Sequence, residues 1–257
     1  MPGIHPTAVI APSASLADDV EVGPYSVIGP HVRVGAATRI QSHVVLDGHT
    51  TIGSACTVFP FACIGTQTQD LKYRGGVAHV EIGDQTTIRE YVTVNASTDD
   101  GGITRIGSRC HIMAYAHVAH DCRVGNEVIL ANCGTLAGHV ILEDQVILGG
   151  LSAVHQFVRV GRLCIIGGCS KVTQDVPPFM MADGNPLQVH TINAIGLKRK
   201  NISAEAQRLL KKAHKILYRH SLSTSQAVAR LETELEQLEE IRHLVEFIRA
   251  SERGITK

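Results

Sequence analysis

From Ile4 onward an aliphatic residue stands at every sixth position: Ile10, Leu16, Val22, Ile28 and so on to Ile64, then Ile82, Ile88 and Val94, then Ile106 to Val172 without a break. Of the 29 positions from 4 to 172 in steps of six, only Asp70, Gly76 and Asp100 are not Ile, Leu or Val. The position two before the aliphatic is small in most hexads (Ala8, Ser26, Thr38, Thr50, Cys56, Thr86, Ala116, Ser152), and the position after it is often Gly, as at Gly23, Gly35, Gly53, Gly107 and Gly125. Inward residues at i−2 and i with an outward one between them are the alternation of a short strand. The neighbouring glycine is expected to make a bend, because it adopts backbone angles that other residues resist. A strand and a bend in every hexad predict a solenoid of flat faces. A helix needs a period near 3.6, and a sandwich does not hold a strict six.

The pattern resembles the hexapeptide repeat of left-handed parallel β-helices, in which three hexads make one triangular coil. The hand comes from the resemblance alone, since it departs from the right-handed crossover rule and periodicity carries no hand. The expected fold is mainly β: a left-handed parallel β-helix over residues 1–185 and an α-helical C-terminal domain over 186–257. Both interruptions span whole hexads, three from Ile64 to Ile82 and two from Val94 to Ile106. Segments 65–81 and 95–105 are therefore expected as outward loops that leave the stack undisturbed, and loops on a rigid scaffold commonly carry function. After Val172 the pattern changes. Pro177-Pro178 closes the repeat, Leu209, Leu210, Ala213, Ile216 and Leu217 have helical spacing, and Ser223-x-x-Gln226 reads as a capping box. These helices are expected to cover strand edges at the solenoid's end.

Composition narrows the picture. The chain has 257 residues, 44% hydrophobic, no Trp, and 24 Lys and Arg against 24 Asp and Glu. A narrow prism has room mainly for aliphatic and small residues, and a neutral chain gives no footprint for nucleic acid. The start of the chain reads as no signal peptide and no stretch reaches membrane-spanning length, so a cytoplasmic protein without a transmembrane segment is expected. Seven Cys show no C-x-x-C. Cys56, Cys110, Cys122 and Cys164 fall on the small inward position and read as core fillers.

Chemistry concentrates in His117-Val-Ala-His120-Asp121-Cys122. In hexad phase Val118 and Cys122 point inward, while His117 and His120 point outward. Solvated surface histidines and polar packing between subunits are the plain alternatives to a functional role. Coil arithmetic adds weight to the latter: 18 added to His120 gives Gly138, 36 gives Gln156, and 18 added to Asp121 gives His139. Stacked strands lie about 4.8 Å apart. His120, Asp121, Gly138, His139 and Gln156 should then cluster outward, bordered by His155. A histidine beside a carboxylate, with a glycine N–H one coil away, matches a general base, its orienting acid and an oxyanion donor.

The stretches His117 to Cys122, Thr135-Leu-Ala-Gly-His139, Ala153-Val-His-Gln-Phe157, Gly196-Leu-Lys-Arg199 and Gln69-Asp-Leu-Lys-Tyr73 resemble the acyl-ACP–UDP-N-acetylglucosamine O-acyltransferase family of lipid A biosynthesis, over essentially the whole chain. The resemblance implies transfer of an (R)-3-hydroxyacyl group from acyl carrier protein to the 3-hydroxyl of UDP-N-acetylglucosamine. It implies His120 as base, Asp121 as its orienting partner and the Gly138 N–H as oxyanion donor. His117, His139, His155, Gln156, Gln69, Asp70 and Lys72 would surround sugar, phosphates or acyl chain. Asn193, Lys198, Arg199 and Lys200 would lie near nucleotide and carrier protein, and Gly168 would line the acyl-chain groove. It further implies a homotrimer with sites in the clefts between prisms, and neither metal nor cofactor. Ile195 and Lys200 replace a Glu and an Arg found around the nucleotide in a relative, and Pro186 replaces a His near the groove. Rival readings are a zinc enzyme like the γ-class carbonic anhydrases, whose histidine spacing differs from His117-x-x-His120, and a non-catalytic scaffold. The related N-acyltransferase needs an extra N-terminal domain, for which hexads beginning at Ile4 leave no room.

Overall fold

The computed structural model describes residues 3–257. The chain winds through three parallel sheets in rotation, called here I, II and III, which start at Val9–Ile10, Ser15–Leu16 and Glu21–Val22 and hold nine, eight and ten strands among the described residues. Each turn contributes one strand, mostly of two residues, to each sheet. Partners lie three hexads apart in an uninterrupted coil, as in Val9↔Val27 and Ile129↔Ile147. The hexad aliphatics from Val22 to Val172 fill a single axial core. The architecture is a parallel β-helix followed by helices.

The inward small position has its own chemistry. Buried Ser26, Thr38, Thr86 and Ser152 donate to carbonyls of the next turn at 2.7–2.9 Å, for example Ser26 Oγ to Gln41 O at 2.7 Å. Cysteine takes the same slot, with Cys56 Sγ 3.2 Å from Gly83 O and Cys110 Sγ 3.1 Å from Gly125 O. Burial pushes the Cys110 thiol up to about 11 and that of Cys122 to about 12, so both are neutral core groups.

The glycines do not make the bends. The corners turn at the third residue after the aliphatic, where non-glycine residues hold a left-handed conformation: Tyr25, Ala37, His43, Glu127 and His139 have φ of 60, 56, 57, 55 and 60°. That conformation costs an L-residue about 1–2 kcal/mol. A hydrogen bond to the previous coil offsets it, as where the His139 N–H donates to His120 O at 3.0 Å or that of Glu127 to Ser108 O at 2.9 Å. The glycine beside the aliphatic serves coil spacing instead. A Cβ on Gly107 would lie 2.5 Å from the Gly125 carbonyl oxygen, and one on Gly23 2.7 Å from the Gln41 carbonyl carbon. Gly65, with φ of 83°, is an exception, at the register irregularity within strand Cys63–Thr66.

The two insertions keep the coil in phase. Ile64 pairs with Val94, five hexads on, and Val94 pairs with Val118, four hexads on. The first insertion thus adds two hexads to the ordinary three, and the second adds one. Strands Cys63–Thr66, His79–Ile82 and Ile103–Ile106 extend into segments expected as loop, and the loops proper shrink to 67–78 and 96–102. Both leave the prism at the edge between sheets I and II.

At the far end, strand Met180–Asp183 adds to sheet III beside Ile165–Ile166, and the antiparallel strand Gln188–Ile192 covers its open edge. That second strand lies beyond the boundary expected at 185, and the helices begin only at Ala194. They are α1 (Ala194–Arg199), α2 (Ala204–Arg219), α3 (Thr224–Glu234) and α4 (Glu239–Arg249). The edge is thus covered first by a strand, which can satisfy its backbone groups as a helix cannot. The capping box forms, with Ser223 N–H donating to Gln226 Oε1 at 3.0 Å and Gln226 N–H to Ser223 Oγ at 3.2 Å.

If glycine serves spacing rather than bending, Gly107→Ala should destabilise the fold by about 1–3 kcal/mol through overpacking. Ala37→Gly, at a left-handed corner, should leave the unfolding midpoint unchanged or slightly raised, because relief of strain and added unfolded-state freedom nearly cancel. Urea unfolding of the two variants checks the order.

Candidate active site

His120 and Asp121 sit where the chain turns from sheet I to sheet II, with Asp121 in the left-handed corner at φ 61°. His120 Nδ1 lies 2.8 Å from Asp121 Oδ2, and His139 Nε2, one coil on, lies 3.7 Å from the same oxygen. The two imidazoles meet edge to face at 5.1 Å. Gly138 lies directly under the His120 ring, where a Cβ would come within 2.3 Å of Cε1. The first loop brings Asp70 Oδ2 to 3.8 Å from His120 Nε2. His120 therefore stands between two carboxylates.

Burial alone would push the Asp121 carboxyl up. Hydrogen bonds from Ser97, His120 and the Thr98 N–H, with His139 nearby, outweigh it and hold the group below the usual carboxylate range. Beside an anionic Asp121, the imidazole hydrogen belongs on Nδ1, which leaves the Nε2 lone pair free to accept a proton. His117, on the strand before His120, places Nδ1 2.7 Å from Thr93 Oγ1. Burial, and then the neighbouring His120, lower its pKa, so it is neutral near pH 7. An open groove of about 660 Å³ borders Asp121 and His139, with Arg123, Ile141 and Arg159 following one another along sheet II. Such a wall offers apolar surface and anion donors together.

The other expected residues divide. Asp70 turns its loop by accepting from the Lys72 N–H at 2.9 Å, and Gln69 lies 3.5 Å from Asn95, while Lys72 is exposed. His155 and Gln156 are exposed one coil beyond His139, and the Gln156 carbonyl accepts from Arg253 at 3.2 Å. Phe157, not anticipated, stacks on His139 at 4.7 Å.

Asn193, Lys198, Arg199 and Lys200 do not join this cluster. Asn193 is buried as the N-cap of α1, accepting from the Gly196 N–H at 3.0 Å and donating to Leu163 O at 2.8 Å. Both ends of its amide are thereby engaged in holding the start of the helix. Lys200 pairs with Glu127 on the edge between sheets II and III. Lys198, Arg199 and Ile195 are exposed. Gly168 is exposed on the third edge, its nearest neighbour to an added Cβ being Gly150 O at 3.2 Å.

Residues 175–256 match the family described as UDP-N-acetylglucosamine O-acyltransferase, domain 2, and residues 103–138 match the bacterial transferase hexapeptide, six repeats. The chain is 50% identical to the acyl-ACP–UDP-N-acetylglucosamine O-acyltransferase of Verminephrobacter eiseniae over 262 residues, covering 100% of both chains. The chain belongs to the UDP-N-acetylglucosamine O-acyltransferase family. The Thiobacillus denitrificans member is 50% identical over 258 residues, again with 100% of each chain covered. Among solved structures, the UDP-N-acetylglucosamine O-acyltransferase of Moraxella catarrhalis superposes with a TM-score of 0.95 at 39% identity, covering 99% of each chain. No helix among the described residues is long and apolar enough to cross a membrane.

Gly138→Ala is informative because it keeps the backbone N–H and adds only a methyl group. The ring above must swing aside, and a misplacement of about 1 Å typically costs about 10²-fold in rate. We expect acyl transfer to fall by that order with the thermal midpoint little changed, checked by steady-state kinetics beside a melting curve.

Proposed function

We propose that the chain transfers an (R)-3-hydroxyacyl group from acyl carrier protein to the 3-hydroxyl of UDP-N-acetylglucosamine, the opening step of lipid A biosynthesis. The observation that carries the mechanism is the His120–Asp121 pair, with Nε2 turned toward the space beside Asp70. Nε2 takes the proton of the sugar hydroxyl as its oxygen attacks the thioester carbon. The carbonyl oxygen becomes a tetrahedral oxyanion and the Gly138 N–H stabilises it. Collapse expels the carrier thiolate, and the imidazolium returns its proton to that sulfur, leaving an ester and a free thiol. Asp121 and Asp70 both favour the transient imidazolium, so the two carboxylates lower the barrier to the first proton transfer. No metal enters this scheme.

The chain acts in this reading as a homotrimer. Lys200 lies against Glu127 on one edge of the prism, Gly168 lies on another and His120 on the third. Clefts between neighbouring prisms bring such separated residues to one substrate. His117, His139, His155, Gln156, Gln69 and Lys72 surround sugar, phosphates and acyl chain, while Lys198 and Arg199 are free to meet nucleotide or carrier protein. Lys200 would first have to leave Glu127, and as a lysine it offers phosphate a point charge rather than a fork.

A second reading rests on one observation: ligand atoms of His120, Asp121 and His139 lie within 4.8 Å of one another, close enough to close on a cation. Activity that follows metal content in the purified protein would favour it, since a metal-bound His120 cannot serve as base. For the acyltransferase, His120→Ala should lower turnover by about 10²–10⁴-fold without unfolding the protein. The mass of the product made from UDP-N-acetylglucosamine and mixed hydroxyacyl carrier proteins identifies acceptor and acyl group. Near-normal activity in the variant would remove His120 from the mechanism.

Gly168 extends the proposal to chain length. An exposed glycine leaves room along the cleft for a longer acyl tail. Gly168→Met should shift preference to shorter chains, each lost methylene contact being worth about 0.8 kcal/mol. An unchanged ranking over a series of chain lengths would refute the ruler.

A further inference from the structure

We infer that Ser97 is a positioning residue for the reaction, holding the Asp121 carboxylate so that its other oxygen orients His120. The inference rests on the general-base reading above.

Ser97 is fully buried on the second loop, and its hydroxyl donates to Asp121 Oδ1. The Thr98 N–H donates to Oδ2 at 3.2 Å, and Oδ2 is also the oxygen that meets His120 Nδ1 at 2.8 Å. Each carboxylate oxygen is therefore bound, and the side chain cannot rotate without breaking a bond to a buried partner. The backbone of Asp121 is held as firmly. At most other corners the turning N–H finds a carbonyl of the previous coil, but at Asp121 it donates to Thr104 Oγ1 at 2.8 Å.

Ser97 is itself fixed. Its oxygen accepts from the Asp99 N–H at 3.1 Å, which closes a tight turn. The carboxylate has no free choice of geometry: serine, loop backbone and imidazole form one line. Through Thr98, whose hydroxyl lies 2.9 Å from that of Thr68, the second loop is joined to the first, which carries Asp70. Ser97 thus couples the loop layer to the prism at the point where the base is oriented. It does not reach His120 and acts only through Asp121.

Donation to a carboxylate lowers its basicity and that of the imidazole it partners. Without the hydroxyl, the Asp121–His120 pair binds a proton more readily, and the acid limb of the pH profile moves to higher pH. The rate falls as well, because the carboxylate can leave the geometry that fixes the tautomer.

The test is kcat/KM against pH for Ser97→Ala, Ser97→Thr, Asp121→Asn and the double variant Ser97→Ala with Asp121→Asn, with melting midpoints for all four. Ser97→Ala should lose roughly 10- to 100-fold, the usual cost of removing a hydrogen bond to a charged group, with the acid limb moved upward. Ser97→Thr keeps the hydroxyl and should restore most of the rate. In the Asp121→Asn background the Ser97→Ala loss should largely disappear, because a residue acting through Asp121 has nothing left to position. An undiminished loss in that background, or a loss without movement of the limb, would assign Ser97 to loop structure alone and overturn the inference. A Ser97→Ala enzyme of normal rate and profile would overturn it equally. Either result leaves the general-base reading standing if His120→Ala is inactive, so the two failures are separable.

Discussion

The hydrogen bond from a corner N–H to the previous coil governs this molecule. It allows residues such as Glu127, Gln145, Leu163 and Phe157 to hold a left-handed conformation that an isolated chain would avoid. Because the bond recurs coil after coil, corner side chains stack in columns along three edges. One column is aromatic, with Tyr25, His43, Phe61, Tyr91 and Tyr115 following at 4.8–5.1 Å. Another carries Asp121, His139 and Phe157. The acyltransferase cluster is a by-product of this geometry, since the turn that closes a coil also aims its corner side chain outward and places it one strand spacing from the next.

The period of six made the axial core, the phase of the loops and the meeting of His120, Gly138 and His139 legible before any coordinates. What it could not show was which residue bends. The glycines stood out by composition, yet their reason is the backbone of the next coil, a contact made a full turn away and invisible in local preference. The true corners are chemically varied, so no residue type marks them. Ser97 escaped for a related reason. Subtracting 18 from Asp121 lands on Ile103, a strand residue, whereas the second insertion makes the local repeat 24, and only that count reaches Ser97. The capping duty of Asn193 was not legible either, because a resemblance transfers positions and not hydrogen bonds. Its amide caps α1, a need set by the short strand and helix at the solenoid's end.

Electrostatically the site is built from opposing tendencies. Burial disfavours charge on Asp121, yet the serine hydroxyl, the Thr98 N–H and the imidazole together keep it ionised. His117 is pressed toward neutrality by burial and by the neighbouring histidine. One imidazole is therefore supported by carboxylates on both sides while another, a little earlier in the chain, is deprived of any. The different partners of the two histidines suit one to accepting a proton and the other to hydrogen bonding alone.

The insertions explain why such a site can exist on so regular a body. Both added lengths are whole hexads, so the later aliphatics keep the phase of the series, in which a one-residue slip within a strand would turn them to solvent. The chain adds two hexads and then one, both at the I–II edge and in successive coils, so the loops can bind each other through Thr68 and Thr98 and reach the next coil at Asp121. Placed on different edges they would be isolated loops with little to order them. Placed together they form a second layer over the corner where the base sits. The solenoid then supplies rigidity and spacing, while the loops supply the polar partners that a bare hexad corner lacks. Regularity and chemistry are reconciled by confining both insertions to one edge.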